Sequence, residues 1–197
     1  MTESMNFFHP SSFWLAIALA LGPLSSHAEC TQVLESIDRL QSMVVAENTA
    51  RDALATIRRN AQDWKNLLLR GRDANERKTM QNRFDTQANT YVNRLSNLRA
   101  EMSQLSLALD HIDTLEREQL RLFEKYRAAL VHHGLDSLEA AAAADREVQG
   151  ADVMTFRTLE KTIEVLSAEN TEQFKKVRQS VSNCQPSLTT PHTHKLQ

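Results

Sequence analysis

Glycine and proline are scarce, with four of each in 197 residues. The prolines are Pro10, Pro23, Pro186 and Pro191, so none interrupts residues 30–184. A stretch that long without a helix breaker excludes a turn-rich β fold and favours long helices. Aromatic residues are only 6% of the chain, which suits helix packing better than a β core. Neither sign of charge dominates: 23 basic and 25 acidic residues leave a formal net charge of −2. No global field points to nucleic acid as a partner. The chain carries no P-loop, nucleophile elbow, H-E-x-x-H or dinucleotide fingerprint. It has no C-x-x-C-H for covalent haem and no Glu-x-x-His pair for a di-iron bundle. No cofactor, no resident metal and no enzymatic activity are expected.

What is present begins with a leader. Residues 13–24 form a short apolar run, and Ser26-His27-Ala28 puts small residues at the two positions a signal peptidase reads. The run is too short for a bilayer, which needs about 20 residues. A cleaved signal peptide over 1–28 is expected, with a periplasmic or secreted product starting at Glu29. The leader departs from the usual pattern in having no Lys or Arg before its apolar run, only Glu3 and His9. The two cysteines, Cys30 and Cys184, stand at the two ends of the remaining domain. An exported compartment permits a disulfide between them. It would close a loop of about 155 residues, and chain entropy would contribute on the order of 5 kcal/mol. Two unrelated thiols are the alternative.

Between the cysteines the apolar positions recur at threes and fours. The first stripe runs Val33, Ile37, Leu40, Val44, Leu54, Ile57, Ala61, Trp64 and Leu68. This predicts one helix from Thr31 to Arg70. Glu47, Asn48 and Arg51 interrupt its seam, either as a register-fixing polar layer or as the lining of a site. Gly71 is expected to close the helix in a left-handed conformation, and Asp73 to cap the next one. The second stripe, from Met80 through Phe84, Ala88, Tyr91, Leu95 and Leu98 to Met102, continues without a fault to Ile112. Ser103, Ser106 and Asp110 nevertheless place a turn near 103–109, because an unbroken rod over 74–132 would be about 90 Å long with no equal partner.

A third helix ends at Gly134. A fourth, capped by Asp136 or Ser137, runs through the Ala140–Ala144 repeat. It kinks at Gly150, where Asp152 is a second cap, and then follows a stripe from Val153 through Phe156, Leu159, Ile163, Leu166 and Phe174 to Val177 and Val181. Asn170 stands alone in that stripe. The Ser/Thr/Pro/His-rich segment 185–197 reads as a disordered tail. The expected architecture is all-α, an up-down-up-down four-helix bundle over 29–184 with long antiparallel, coiled-coil-like helices. That topology brings Cys30 and Cys184 to the same end.

Trp64-Lys65-Asn66 followed by Leu68-Leu69-Arg70-Gly71 resembles the W-K-N-x-L-L-R-G pattern in the extracytoplasmic sensing regions of some methyl-accepting chemotaxis proteins. Val148-Gln149-Gly150-Ala151-Asp152 resembles the segment that opens the last helix of the same family. The resemblance spans roughly residues 33–180. It implies a periplasmic four-helix bundle whose first motif lies at the membrane-distal tip, and which senses a small molecule or contacts a partner. It also implies two-fold dimers, so a homodimer or a monomer is expected. The 197 residues hold no second membrane helix and no signalling coiled coil. A domain that does not signal across a membrane by itself is expected, with the disulfide replacing the membrane clamp.

The candidate ligand or partner residues are Arg58, Trp64, Arg70 and Arg72. Trp64 reads as a pocket wall or a core residue, and Arg70 as an anion contact or a helix-end charge. Arg58, Arg59, Lys65, Arg70, Arg72, Arg77, Lys78 and Arg83 form a basic tip. The first half of the last helix is acidic, with Asp136, Glu139, Asp145, Glu147 and Asp152. Mutual ion pairing is the default where these meet. The alternative is a tip open to a small anionic ligand, or to a partner such as a membrane sensor protein. A structural protein of the cell envelope, acting by helix-to-helix contact, is the reading from another functional class.

Overall fold

The computed structural model describes the backbone over residues 27–184 and side chains over 32–182. Residues 1–26, the tail over 185–197 and the side chains of Cys30 and Cys184 lie outside the described residues. The described chain is all-helical, with five helices: α1 His27–Arg70, α2 Ala74–Gln104, α3 Asp110–His133, α4 Leu138–Val148 and α5 Val153–Cys184. No strand occurs among the described residues. No helix among them is long and apolar enough to cross a membrane.

Local chemistry sets each break. Asp73 caps α2 as expected, its carboxylate accepting the Asn75 and Glu76 N–H groups at 2.9 Å each. Gly71 behaves differently from the expectation, because it does not adopt positive φ. It continues the α1 ladder, its N–H donating to the Leu67 carbonyl at 2.8 Å. The need for glycine is steric. A Cβ here would collide with the Leu67 carbonyl and come within 2.6 Å of Leu135 Cδ1. The bare backbone lets the α3–α4 loop sit on the end of α1.

The break between α2 and α3 falls inside the expected 103–109 segment. Ser106 takes φ +56°, with its N–H on the Ser103 carbonyl and the Leu107 N–H on the Met102 carbonyl, both at 2.9 Å. This is a left-handed helix stop with serine in the place glycine usually holds. Gly134 ends α3 at φ +66°, its N–H on the Leu130 carbonyl, and Ser137 caps α4 by accepting the Ala140 N–H at 3.1 Å.

The expected fourth helix is two. Gly150, at φ +74°, sits in a full four-residue break between α4 and α5 rather than in a kink. The stripe reads through the break because α4 buries Ala141, Ala144 and Val148 and α5 resumes burial at Thr155 and Leu159. Periodicity reports which face is buried and is blind to a change of direction.

Helix α1 lies between α2 and α5. Its partners descend in one helix as they climb in the other. On α2 these are Asp52 with Arg94, Asn60 with the Phe84 carbonyl and Asp63 with Arg83. On α5, Ser36 meets Gln173, Glu47 meets Asn170 and Arg58 meets Glu160. Helix α3 joins α2 through Arg99 with Asp113 and Glu116, and packs on α4 and α5.

The lone polar residues of the two longest stripes meet. Asn170 donates to Glu47 Oε2 at 2.5 Å, and Arg51 binds the other oxygen of that carboxylate. The seam of α1 runs through Met43, Ala46, Ala50 and Ala53. Val44, expected in the stripe, is 44% exposed, and Phe174 is 58% exposed.

Two regions result. A head holds an aromatic cluster of Trp64, Phe84, Tyr91, Phe123 and Tyr126, with Trp64 and Tyr126 centroids 4.7 Å apart. Helix α2 ends at the level of Arg39, whose guanidinium donates to the Leu105 carbonyl. Below that level α1 pairs with α5 in a two-helix limb, burying Val33 and Val177 and leaving Leu34 exposed.

Candidate functional site

The four candidate residues do not converge. Arg58 and Arg70 are twelve residues apart on one helix, roughly 18 Å along the axis. Arg58 pairs with Glu160 at 3.1 Å. Arg70 binds both oxygens of Glu76, at 3.0 and 2.7 Å, which raises its pKa and holds the α1–α2 turn closed. Arg72 forms no ion pair among the described residues, and its charge acts on Glu139. That carboxyl lies below its usual range, chiefly through a backbone hydrogen bond and the Ser137 hydroxyl, with Arg72 a smaller cause. Trp64 is 1% exposed and belongs to the core. Much of the basic tip is neutralised from the same end of the molecule, with Arg77 on Asp136, Arg83 on Asp63 and Lys65 on Asp145.

The structure instead brings Trp64 and Lys65 together with the Val148–Asp152 segment. A cleft of about 260 Å³ lies between α1, α3 and the α4–α5 break. Ala61, Trp64 and Lys65 come from α1, Tyr126 from α3, and the far wall runs from Asp145 to Asp152. Trp64 Nε1 donates to Asp145 Oδ1 at 3.2 Å, and Lys65 Nζ binds both oxygens of that carboxylate at 2.6 and 2.7 Å. Asp145 therefore fastens α4 to α1 and fixes the indole edge at the cleft.

Three other groups around the cleft are free. Tyr126 is 4% exposed, yet its hydroxyl has no hydrogen-bond partner among the described residues. Burial, then the charges of Asp152 and Asp145, push its pKa well above the usual phenol value, so the hydroxyl stays protonated. Asp152 occupies the residue before α5, where its carbonyl accepts the Phe156 N–H at 3.0 Å. Its half-buried carboxylate makes neither a capping hydrogen bond nor an ion pair among the described residues. Arg146, in the last turn of α4, is also unpaired there. Asp145 and Asp152 were expected among the acidic residues opposite the basic tip, whereas Tyr126 and Arg146 were not singled out as site residues. The proximity of Val148–Asp152 to Trp64 was not legible from spacing, because it depends on the direction α4 takes.

Two further features lie outside this cleft. His132 and His133 bracket Glu147, with ring nitrogens 3.2 and 2.8 Å from its oxygens. Burial opposes that charge, but the hydrogen bonds from His133 and His132 prevail and hold the carboxyl below its usual range. A second cleft of about 240 Å³ lies beside the 105–109 turn, lined mainly by Met102, Leu107, Ala108 and Val165, with Asp110, His111 and Glu169 at its edge. Among the described residues no group of three or more His, Cys, Asp or Glu is arranged to hold a metal ion. No family model, no curated protein and no solved structure matches the chain.

Proposed function

We propose that this chain is an exported, non-enzymatic sensing domain that binds a small ligand or a protein partner at the Trp64–Tyr126 cleft. In this reading α4 and α5 together form the fourth rod of an up-down-up-down bundle. Cys30 and Cys184 are clasped at the limb end, in place of the membrane helices that flank chemoreceptor sensing regions. The observation that carries the reading is the convergence of Trp64-Lys65 and Val148–Asp152, the two segments resembling that family, on one cleft with an unpaired polar lining. The opposed contacts of α1 with α2 and with α5 support the bundle. The paired state of Arg58 and Arg70 moves the expected site from the basic tip to this cleft. Arg72 remains available for a small anionic ligand or an acidic partner.

A thermal-shift screen with small organic acids, amines, nucleobases and zwitterions tests the reading. A binder of the native state raises the melting temperature by mass action. The shift should vanish in Ala61→Trp, which fills the cleft. A screen with no hit, or a hit indifferent to that substitution, counts against it. Peptide mapping under non-reducing conditions should find Cys30 joined to Cys184, and two free thiols would remove the clasp. The envelope-assembly reading, favoured by exposed Leu34 and Phe174 on the limb, predicts no shift with any compound.

A further inference from the structure

The charges of the Trp64–Tyr126 cleft sort into a spent pair and a free pair. Asp145 is held by Lys65 and the Trp64 indole N–H, so the two charges of that ion pair largely offset each other at the cleft. Asp152 and Arg146, one of each sign, line the same cleft without ion-pair partners among the described residues. A lone anion would gain Arg146 and face Asp152, whereas a lone cation would gain Asp152 and face Arg146. Only a molecule carrying both signs gains from both. The Tyr126 hydroxyl adds a group that can donate or accept, nine-tenths buried and open to the cleft. Apolar walls come from Ala61, Val148 and the edge of Trp64, and the volume of about 260 Å³ suits a ligand of about ten heavy atoms or fewer.

A purely structural origin accounts for these groups less well. A carboxylate at the residue before α5 would ordinarily cap that helix, yet Asp152 is not used so. A tyrosine hydroxyl at this depth ordinarily finds a partner, yet neither Tyr126 nor Tyr91 has one among the described residues, and of the two only Tyr126 lines the cleft. Gly150 leaves open space where any side chain would stand, with no atom within 4 Å of a Cβ built there.

We propose that the cleft binds a small zwitterion, its ammonium on Asp152 and the Tyr126 oxygen and its carboxylate on Arg146. This rests on the reading that the cleft is the ligand site.

The test is calorimetric titration of the full chain with three matched probes: 5-aminovalerate, pentylamine and valerate. An α-amino acid of similar size, norvaline, serves as a second zwitterion. At least one zwitterion should bind about tenfold or more tightly than both single-charge probes. Asp152→Asn should remove the advantage over valerate, and Arg146→Gln the advantage over pentylamine, while Tyr126→Phe should weaken the zwitterion and pentylamine and leave valerate unchanged. Circular dichroism on each variant checks that the fold is intact. Equal binding of a zwitterion and either single-charge probe overturns the proposal, as does a preference that survives both charge substitutions or no binding by any probe. A cleft-specific hit of another chemical class in the thermal screen would leave the ligand-site reading standing while this inference falls. A screen with no hit removes both.

Discussion

The head and the limb are built from the same two helices, α1 and α5, and they differ in what surrounds them. In the head, three more helices enclose them, five aromatic rings interlock and cross-helix ion pairs fasten the rim. In the limb they have only each other, the buried residues are aliphatic apart from Gln173, and Leu34 and Phe174 face outward. Just inside the head, where Thr49 still meets Glu101 of α2, lies the Glu47–Asn170 polar contact. The comparison shows that an unbroken apolar stripe does not imply uniform stability along a helix. Burial depends on how many neighbours the stripe meets, and a two-helix pair cannot remove apolar surface from water as five helices can.

The largest expected effect contrasts the two regions directly. Trp64→Ala should cost about 3–5 kcal/mol in urea denaturation, because it removes a fully buried indole from an aromatic cluster. Val177→Ala in the limb should cost about 1–2 kcal/mol. Native-state hydrogen exchange should show amides around Ile57–Leu68 opening only with global unfolding, and those around Val33–Leu40 opening locally. Equal protection in the two segments would erase the distinction.

Alkaline pH should reach the head next. Both tyrosines of the chain, Tyr91 and Tyr126, lie there, and burial raises both pKa values above the usual phenol value of 10.0. A raised folded pKa contributes stability that is fully present below the unfolded value and is lost as pH rises past it. Stability should therefore fall steadily above about pH 10. Absorbance at the phenolate band should appear together with unfolding. Phenolate formation in the still-folded head would contradict the burial that defines it.

The boundary and the turn supply smaller effects. Asn170→Ala should cost about 1 kcal/mol by removing the hydrogen bond to Glu47 Oε2 while Arg51 stays on the other oxygen, with the loss centred at the limb side of the head. Ser106→Gly should stabilise by up to about 1 kcal/mol, because it relieves a left-handed non-glycine residue at the end of α2. Calorimetric melting checks both.

Much of this was legible in the sequence, for identifiable reasons. Asp73, Ser137 and Gly134 act within their own turns, so local chemistry suffices to name them. The turn at 103–109 followed from a length argument and from serine and aspartate at the break. Three features were not legible. The role of Gly71 depends on Leu135, 64 positions later, which no local rule can supply. The split of the last rod at Gln149–Asp152 was hidden because the buried face carries on across it. Val44 was placed in the seam, but Met43, Ala46 and Ala50 take it, since alanines allow the close helix approach that a β-branched residue would hinder. The cleft itself arises from the path of α4, which no spacing in the sequence reports.

The most direct test of the central claim uses the indole at the cleft. With Trp14→Phe, Trp64 is the only tryptophan left in the chain. Titrating the best thermal-shift hit while recording its emission should give a saturable change whose midpoint matches the calorimetric dissociation constant. A hit that raises the melting temperature while Trp64 emission stays unchanged would place the ligand elsewhere and contradict the account.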